Sequence, residues 1–349
     1  MGQRPTGGRS MLMAAIGTGV LLAAILFLLS RKSVTTPARI VIPKGATLAS
    51  AADTLERSDV IRSATLFRLM ASFFGRGGAT PVPGRYVVPR GAPYSVLLDQ
   101  LANGTGRFRR LTIPEGWSIQ QIARLMQDSL QIPVDSMLAA TRDSVRRARM
   151  QTPAADVEGY LFPATYDFLD GTKAAAVVDT MLVTFDRRWK SSWDSTLSSG
   201  GRTRHAVVTL ASIVEKEAGR NSDRAMIAAV YLNRLRAGMR LQADPTVVYA
   251  MGMATKARVM FNDLKVESPY NTYRVAGLPP GPIASPGSAS IAAAVQPSAS
   301  DAMFFVAFPD GHSQFTKTFA EHTVAVKAAR LARVSADSIR SATSAAVAR

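Results

Sequence analysis

A run of nineteen uncharged, mostly aliphatic residues near the start of the chain is the feature that most constrains its fold. The run extends from Met11 to Leu29. As a helix it would be about 28 Å long, which is enough to cross the hydrocarbon layer of a membrane. It is longer than the apolar core of a signal peptide, and Leu-Leu-Ser-Arg-Lys follows it instead of an Ala-x-Ala-like cleavage site. We therefore predict an uncleaved transmembrane anchor over residues 11–30, after a short tail over residues 1–10.

The charges beside this anchor do not decide its orientation. Arg4 and Arg9 precede it, and Arg31 and Lys32 follow it, so the positive-inside rule favours neither direction. The sequence contains no second apolar run of this length. A linker over residues 31–38 should therefore lead to a region that lies wholly on one side of the membrane.

Composition narrows the possible functions. The chain has no cysteine, which excludes disulfides, thiolate zinc sites and cysteine nucleophiles. His205, His312 and His322 lack zinc-site spacing, and no nucleotide-binding loop is visible. The net charge of +17 would suit a nucleic acid, an anionic membrane surface or an acidic polymer, but the basic residues are scattered and no nucleic-acid motif is present. We expect no metal, no cofactor and no nucleic-acid partner.

A short pattern occurs three times in the first half of the chain. Each copy ends an apolar segment with a Pro-x-Gly turn, as in Ile42–Gly45, Val88–Gly91 and Ile113–Gly116. A Ser or Thr that could cap a helix follows each turn, before the helical runs at 48–55, 96–101 and 119–126; these caps are Thr47, Ser95 and Ser118. We predict one or two small α+β modules over residues 39–130. The alternative is that the turns only punctuate an ordinary fold.

Residues 131–204 have the composition of a polar, mainly helical connecting region. Within it lies the aromatic segment Glu158-Gly-Tyr-Leu-Phe-Pro-Ala-Thr-Tyr166. One interpretation is that Leu161 and Phe162 pack against the following domain. The other is that Tyr160 or Tyr166 forms a cleft wall and stacks on a sugar ring.

The third region, residues 205–330, is predicted to be a separate α+β domain. It contains a helix over 206–218, a second helix capped by Ser222 or Asp223 and stopped by Gly238, and a strand over 302–308 with a return strand after Gly311. The segment over 277–287 is rich in Pro and Gly and contains the aliphatic residues Leu278 and Ile283, which could anchor it; we therefore predict a rigid loop. Residues 331–349 are predicted to be a frayed helix or a tail. The fold class is therefore α+β.

One carboxyl group stands out in the first helix of this domain. At helical spacing Glu217 shares an apolar stripe with Leu210, Ile213 and Val214, whereas Glu215 points roughly 200° away around the helix. Desolvation on such a stripe raises the pKa of a carboxyl group, so that it could donate a proton at neutral pH. Glu217 is thus a candidate general acid. The alternative is a buried ion pair with a nearby arginine, for which Arg220 and Arg234 are the candidates.

Several motifs in this domain closely resemble those of the YceG-like endolytic murein transglycosylases. They occur in the family's order, and the Glu-Gly-Tyr-Leu-Phe-Pro segment and the N-terminal anchor extend the resemblance through most of the chain. The motifs are Ala211–Glu217, Tyr231–Leu235, Met239–Val248, Tyr270–Tyr273 and Gly277–Ile283. The resemblance implies a LysM-like label for the Pro-x-Gly modules and a catalytic role for residues 205–330.

The resemblance also implies an activity. Members of the family cut nascent peptidoglycan strands internally between N-acetylmuramic acid and N-acetylglucosamine, leave 1,6-anhydromuramyl ends, and are thought to terminate strand elongation. By position, Glu217 matches the family's catalytic glutamate. The implied partners are peptidoglycan strands, the inner membrane through the anchor, and peptidoglycan synthases as candidates. The implied location of the catalytic domain is extracytoplasmic, where the substrate is.

Four further polar residues are candidates for binding the substrate or orienting the acid. Their amide, carboxyl and phenol groups could hydrogen-bond N-acetyl groups; they are Gln242, Asp244, Asn271 and Tyr273. Asp244 also has a simpler interpretation as a turn or cap residue before Pro245. The rival function for the whole chain is a membrane-anchored, non-catalytic protein that binds the cell wall, with Glu217 as a structural ion pair.

Overall fold

The computed structural model describes residues 36–253 and 259–347, and side-chain exposure up to residue 336. The predicted anchor over residues 11–30 lies outside these ranges. Among the helices that are described, none combines the length and the apolar character that a membrane crossing requires. The chain divides into two compact units. Unit 1 contains the residues up to 110 together with 167–171, and unit 2 contains 111–166 and 172–349.

Unit 1 is built around a four-stranded sheet with the order β1-β2-β3-β4. Its strands are β1 (Ala38–Ile42), β2 (Gly84–Val88), β3 (Arg107–Thr112) and β4 (Thr165–Leu169). β1 pairs antiparallel with β2, and β2 pairs antiparallel with β3. The boundary between the units crosses both β3 and β4, so the chain leaves unit 1 in β3 and returns to it within β4.

Three helices of unit 1 bury its apolar side chains. They are α1 (Leu48–Arg57), α2 (Ala64–Phe73) and α3 (Tyr94–Asn103). Alternate residues of β1 are buried, and Ile40 lies opposite the buried Tyr86 of β2. Phe67 and Tyr94 pack edge to face with their ring centres 5.2 Å apart. Period-two burial on the strands and apolar stripes on the helices therefore give one shared core.

The three Pro-x-Gly turns adopt the same backbone conformation. Gly45, Gly91 and Gly116 have φ angles of 76°, 75° and 74°. A side chain is disfavoured in this left-handed region, which explains why glycine occupies each copy. Each turn directly follows one of the first three strands and precedes a helix, so the strand, turn and helix order that the repeat predicts is confirmed. The LysM-like label itself stays a prediction.

One of the three predicted helix caps is wrong. Thr47 accepts a hydrogen bond from the Ser50 amide, and Ser118 forms a capping box with Gln121. Ser95, however, lies inside α3, whose cap position is occupied by Pro93. Proline at this boundary begins the helix earlier because its fixed φ angle suits a helix start.

Unit 2 is mainly helical, with a two-stranded antiparallel sheet. Its helices are α4 (Ile119–Leu130), α5 (Val134–Arg142), α6 (Ser144–Arg149), α7 (Ala174–Arg188), α8 (Ser191–Ser199), α9 (Arg204–Glu217), α10 (Arg224–Arg236), α11 (Asp244–Ala250), α12 (Ser288–Val295) and α13 (Phe319–Val347). Its strands are β5 (Phe304–Ala307) and β6 (Ser313–Thr316). The predictions of α9, α10 and the β5-β6 hairpin are confirmed. The predicted α+β class is confirmed as well.

Helix α9 is the centre of unit 2 and runs antiparallel to α12. At one end, the guanidinium of Arg202 donates to the carbonyls of Ala294 and Val295, both at 2.7 Å. At the other end, the amide of Gly287 donates to the Glu215 carboxylate at 3.0 Å. Both ends of the pair are thus fixed by charged side chains, and the C-terminal end of α9 is held in a defined position.

Candidate active site

Helix α9 begins with a side-chain cap and then passes through the core. The hydroxyl of Thr203 accepts from the amide of Ala206 at 3.1 Å, and every residue over 207–214 is buried. The apolar stripe that precedes Glu217 is buried, and Ala211 and Ser212, on the side away from Glu217, are also 0% exposed. The cause is α12, which covers that side. Glu215 and Glu217 therefore both emerge from a fully buried helix.

The two glutamates have different partners. Glu215 forms an ion pair with Arg224 at 2.9 Å, and the two side chains are only 6% and 10% exposed. Its second oxygen accepts from the hydroxyl of Ser290 at 2.7 Å and from the amide of Gly287 at 3.0 Å. The carboxylate of Glu215 is therefore fully engaged in holding α9, α10 and α12 together.

Glu217 is directed instead at a tyrosine. The hydroxyl of Tyr231 donates to Glu217 Oε1 at 2.9 Å. Burial raises the pKa of Glu217 to about 7, and the nearby Asp244 carboxylate also raises it, whereas the Tyr231 hydrogen bond and the charge of Arg234 lower it. The residue retains partial solvent exposure. A carboxyl group with a pKa of about 7 is protonated in a large fraction of molecules at neutral pH and can act as a general acid.

The buried glutamate–arginine ion pair considered for Glu217 is formed instead by the neighbouring Glu215, with Arg224. Arg220 pairs with Asp310 at 3.2 Å. Arg234 donates to the carbonyls of Met303 and Leu241, at 2.7 Å and 2.6 Å. Both guanidinium groups thus have other hydrogen-bond acceptors. Arg234 acts on Glu217 only through its charge.

Tyr231 is held rigidly on α10. It is 1% exposed, and its ring packs edge to face on Phe305 with the centres 5.8 Å apart. Burial, followed by the charge of Glu217, raises the pKa of Tyr231 well above its usual value. The phenol therefore stays protonated and is a permanent hydrogen-bond donor to Glu217.

Two of the four predicted supporting residues lie close to Glu217. Tyr273 donates to Asp244 Oδ1 at 2.6 Å. Asp244 is the first residue of α11, and the cap position belongs to Ala243, so the simpler interpretation of Asp244 as a cap is wrong. Burial raises the pKa of Tyr273, and the hydrogen bond to Asp244 and the charges of Asp244 and Glu217 raise it further. Glu217, Tyr231, Asp244 and Tyr273 form the group that we call the acid cluster.

The other two predicted residues occupy different positions. Asn271 is 0% exposed, and its amide donates to the carbonyls of Leu264 and Val266 at 2.9 Å and 2.8 Å while its oxygen accepts from the Tyr273 amide at 3.0 Å. Through these hydrogen bonds the Asn271 side chain holds the loop that carries Tyr273. Gln242 is exposed and has a left-handed φ of 52°.

Thr272 joins this loop to α11. Its hydroxyl accepts from the amide of Ala243 at 3.0 Å and lies 2.8 Å from the hydroxyl of Thr246. Its carbonyl accepts from the Gln242 amide at 3.2 Å. The segment with the strained Gln242 backbone and the segment with Tyr273 are therefore held as one piece.

The Glu158–Tyr166 segment packs within unit 2, and the Phe162 ring lies edge to face against Phe185 of α7 with the centres 6.4 Å apart; packing of Leu161 and Phe162 against residues 205–330 stays a prediction. Leu161 is 0% exposed and Phe162 is 5% exposed. The alternative, in which Tyr160 or Tyr166 stacks on a sugar, is wrong because these rings are 0% and 6% exposed. The hydroxyl of Tyr160 lies 3.1 Å from His205 Nδ1 at the start of α9. The segment therefore supports the helix that carries Glu217.

Sequence reasoning did not assign Tyr231 and Arg234 their functions. In the sequence, Tyr231 stands out only as the first residue of the Tyr231–Leu235 motif, and Arg234 only as a candidate ion-pair partner of Glu217. Their spacing of three residues puts both side chains on one face of α10, which was a usable signal. The sequence does not reveal which helix packs against this face of α10, because that depends on tertiary packing.

Comparison with known proteins places this arrangement in a family. A model of the YceG-like family matches residues 40–328. A Bacillus subtilis protein named endolytic murein transglycosylase is 34% identical over 305 residues, which are 83% of this chain and 84% of that protein. A Streptococcus pneumoniae protein of the same name is 32% identical over 298 residues; these are 76% of this chain but only 53% of the pneumococcal protein.

A solved structure is also similar. The crystal structure of a yceG-like protein from Listeria monocytogenes has a TM-score of 0.59 and 32% sequence identity to this chain. The match covers 82% of this chain and 98% of the Listeria chain. The similarity therefore extends well beyond residues 205–330, which carry most of the motifs.

Proposed function

The chain belongs to the YceG-like family, and from this premise we propose that it is a peptidoglycan lytic transglycosylase, which is a lyase. Its substrate is the nascent glycan strand, cut internally between N-acetylmuramic acid and N-acetylglucosamine. The product carries a 1,6-anhydromuramyl end, and the cut terminates strand elongation. The relatives' shared name supports the reaction class, and the acid cluster supports the choice of residues.

The single observation that carries this proposal is the environment of Glu217. Its carboxyl group has a pKa raised to about 7 by burial and is oriented by a hydrogen bond from Tyr231. Two-carboxylate glycosidases divide the work between an acid and a nucleophile or base. A lytic transglycosylase can use one group for both proton transfers.

The proposed reaction uses one carboxyl group for two successive proton transfers. Protonated Glu217 gives its proton to the glycosidic oxygen, and the bond from the muramyl anomeric carbon to that oxygen breaks. The oxygen of the muramyl 6-hydroxyl forms a bond to the same carbon. The proton of this hydroxyl passes to the Glu217 carboxylate, which restores the acid. No water is consumed, and Gln242 and Tyr273 are positioned on the segments beside the acid to contact the sugar.

We further propose that residues 11–30 anchor the protein in the inner membrane, with both units on the extracytoplasmic side. The uncharged run in the sequence and the location of the substrate support this. The modules over residues 39–130 are then proposed to be LysM-like contacts to the glycan. Peptidoglycan synthases are the partners to test, because they supply the nascent strand.

Product analysis tests the function directly. Full-length protein is incubated in detergent with uncrosslinked glycan strands, and the ends are identified by mass spectrometry. We expect anhydromuramyl ends. Reducing muramyl ends would indicate a hydrolase, in which Asp244 serves as the second carboxylate. The absence of any new ends from folded protein would favour the non-catalytic wall-binding alternative.

Glu217→Gln is the variant that assigns the acid. Glutamine keeps the size and accepts the Tyr231 hydrogen bond but has no acidic proton, so the rate should fall by about 100-fold or more. Melting followed by circular dichroism should show a folded variant. Wild-type activity in the folded variant would contradict the assignment of Glu217.

A further inference from the structure

A cleft in unit 2 lies outside the acid cluster. Its volume is about 300 Å³, and it lies between the start of α4 and the end of α11. The side chains that matter for its chemistry are Ser118, Gln120, Gln121, Arg124, Tyr249 and Met253. We call this the α4–α11 cleft.

Both walls of the α4–α11 cleft are attached to one buried carboxyl group. Glu158 is 3% exposed, and its two oxygens accept from the Ile119 amide at 3.1 Å and 3.0 Å. The hydroxyl of Tyr249 is 3.5 Å from Glu158 Oε2, and the Tyr249 ring packs on Tyr270 with the centres 4.9 Å apart. Glu158 thus fixes the first turn of α4 against the tyrosine of α11.

The cleft presents donors and an aromatic ring. Arg124 is exposed, and within residues 36–253 and 259–347 it makes no ion pair. Gln121 Oε1 accepts from the Ser118 amide at 3.1 Å, which leaves the amide nitrogen of Gln121 as a donor. A guanidinium suits a carboxylate, amide donors suit the oxygen of an N-acetyl group, and a tyrosine ring suits the apolar face of a sugar.

The cleft lies along one short helix from the acid cluster. Asp244, beside Glu217, begins α11, and Tyr249 lies near its end. These two residues are separated by a rise of about 7.5 Å along the helix axis. The Tyr270–Tyr273 motif makes the same connection, because Tyr270 packs on Tyr249 while Tyr273 donates to Asp244. A glycan strand at Glu217 could reach the cleft within a few sugar units.

We propose that the α4–α11 cleft is a distal subsite for the same glycan strand and takes an N-acetylated muramyl unit together with a carboxylate of the stem peptide that this unit bears. Arg124 binds the carboxylate and determines the specificity of this subsite. Tyr249 supplies the stacking surface, and Glu158 acts as a positioning residue behind it. This inference rests on the proposed function, since it uses the same substrate.

The test uses strands of defined length with free or chemically amidated carboxylates. For the wild type, kcat/KM should rise once strands are long enough to reach the cleft, and amidation should remove that rise. In Arg124→Ala, the ratio of kcat/KM between long and short strands should fall about tenfold, as expected for the loss of a charge-assisted hydrogen bond. Arg187→Ala is the control, because it removes an exposed positive charge elsewhere in unit 2 and should keep the wild-type profile.

The outcomes separate this inference from the function it rests on. If the wild type cuts strands but Arg124→Ala keeps the wild-type length profile, or if amidation has no effect, the subsite is wrong and the function stands. If the wild type cuts nothing, the proposed function fails. Calorimetric binding of free and amidated strands to the Glu217→Gln protein, with and without Arg124→Ala, then still decides the subsite, because it requires no turnover.

Discussion

At the scale of single residues, two carboxyl groups that are two positions apart have opposite roles. Glu215 is neutralised by Arg224 and is almost fully buried, whereas Glu217 has a neutral tyrosine as its hydrogen-bond donor. Helical spacing alone predicts that the two side chains diverge, and the structure confirms this. The identity of each partner depends on residues 9 and 14 positions further along the chain. That information lies in tertiary packing and could not be read from the helix.

The partners of Glu217 should set the pH dependence of cleavage. Because Glu217 must be protonated to start the reaction, kcat/KM should fall above about pH 7, by about tenfold per pH unit. Tyr231→Phe removes a donor that stabilises the ionised carboxylate, so the pKa of Glu217 should rise. The descending limb of the pH profile should then move to higher pH.

Asp244→Asn should move the same limb in the opposite direction. It removes a negative charge that raises the pKa of Glu217, so cleavage should decline at lower pH than in the wild type. The measurement is kcat/KM between pH 5 and pH 9. A shift of both variants in one direction would mean that these contacts do not control the titration of Glu217. Complete loss of activity in Asp244→Asn would instead support a two-carboxylate hydrolase.

At the scale of elements, the sequence predicts the turns and the position of α9 well, but it does not predict how much of the surface of α9 is buried. The Pro-x-Gly turns were predictable because proline and glycine restrict the backbone whatever surrounds them. The helix predicted over 206–218 is present as α9, which begins two residues earlier because Thr203 caps it. The sequence suggested one buried stripe on α9, because the covering helix α12 begins more than 70 residues after the end of α9. Ala211 and Ser212 are small, and that is the feature that lets a second helix approach.

Glu215→Gln should therefore destabilise the packing of α9, α10 and α12. It leaves the nearly buried Arg224 without a counter-charge, which typically costs about 3–5 kcal/mol. Thermal or denaturant unfolding monitored by circular dichroism measures the loss, and at low temperature the folded protein should retain substantial activity. Glu267→Gln is the matched control, since its pair with Arg274 has side chains 86% and 48% exposed and should contribute little. Equal stability of the two variants would contradict a structural role for Glu215.

At the scale of the whole molecule, the chain passes from unit 1 to unit 2, back to unit 1, and again to unit 2. Unit 1 depends on residues 167–171 for its fourth strand, although the rest of it ends at residue 110. The sequence predicted boundaries near residues 130 and 204, and these stay predictions. The returning strand β4 was not recognised, since it lies in a region whose composition indicates helices.

A fragment that starts at residue 111 should be less soluble, because it lacks the strands that pair with β4. It would carry all of β4 without β1, β2 and most of β3, and so would expose unpaired strand edges. We expect lower solubility and aggregation in light scattering, compared with a fragment that starts at residue 36. A fragment from residue 111 that is monomeric and as stable as the longer one would show that β4 needs no sheet.

The return of β4 also fixes an order of events at the ribosome. The first three strands are synthesised by residue 112, but their sheet is complete only after residue 169 has left the exit tunnel. Over that interval, β3 has a free edge that could pair with a neighbouring chain. β3 carries three basic side chains, Arg107, Arg109 and Arg110. Their positive charges would repel β3 of a second chain until Asp167 and Asp170 of the same chain have been synthesised and pair with them.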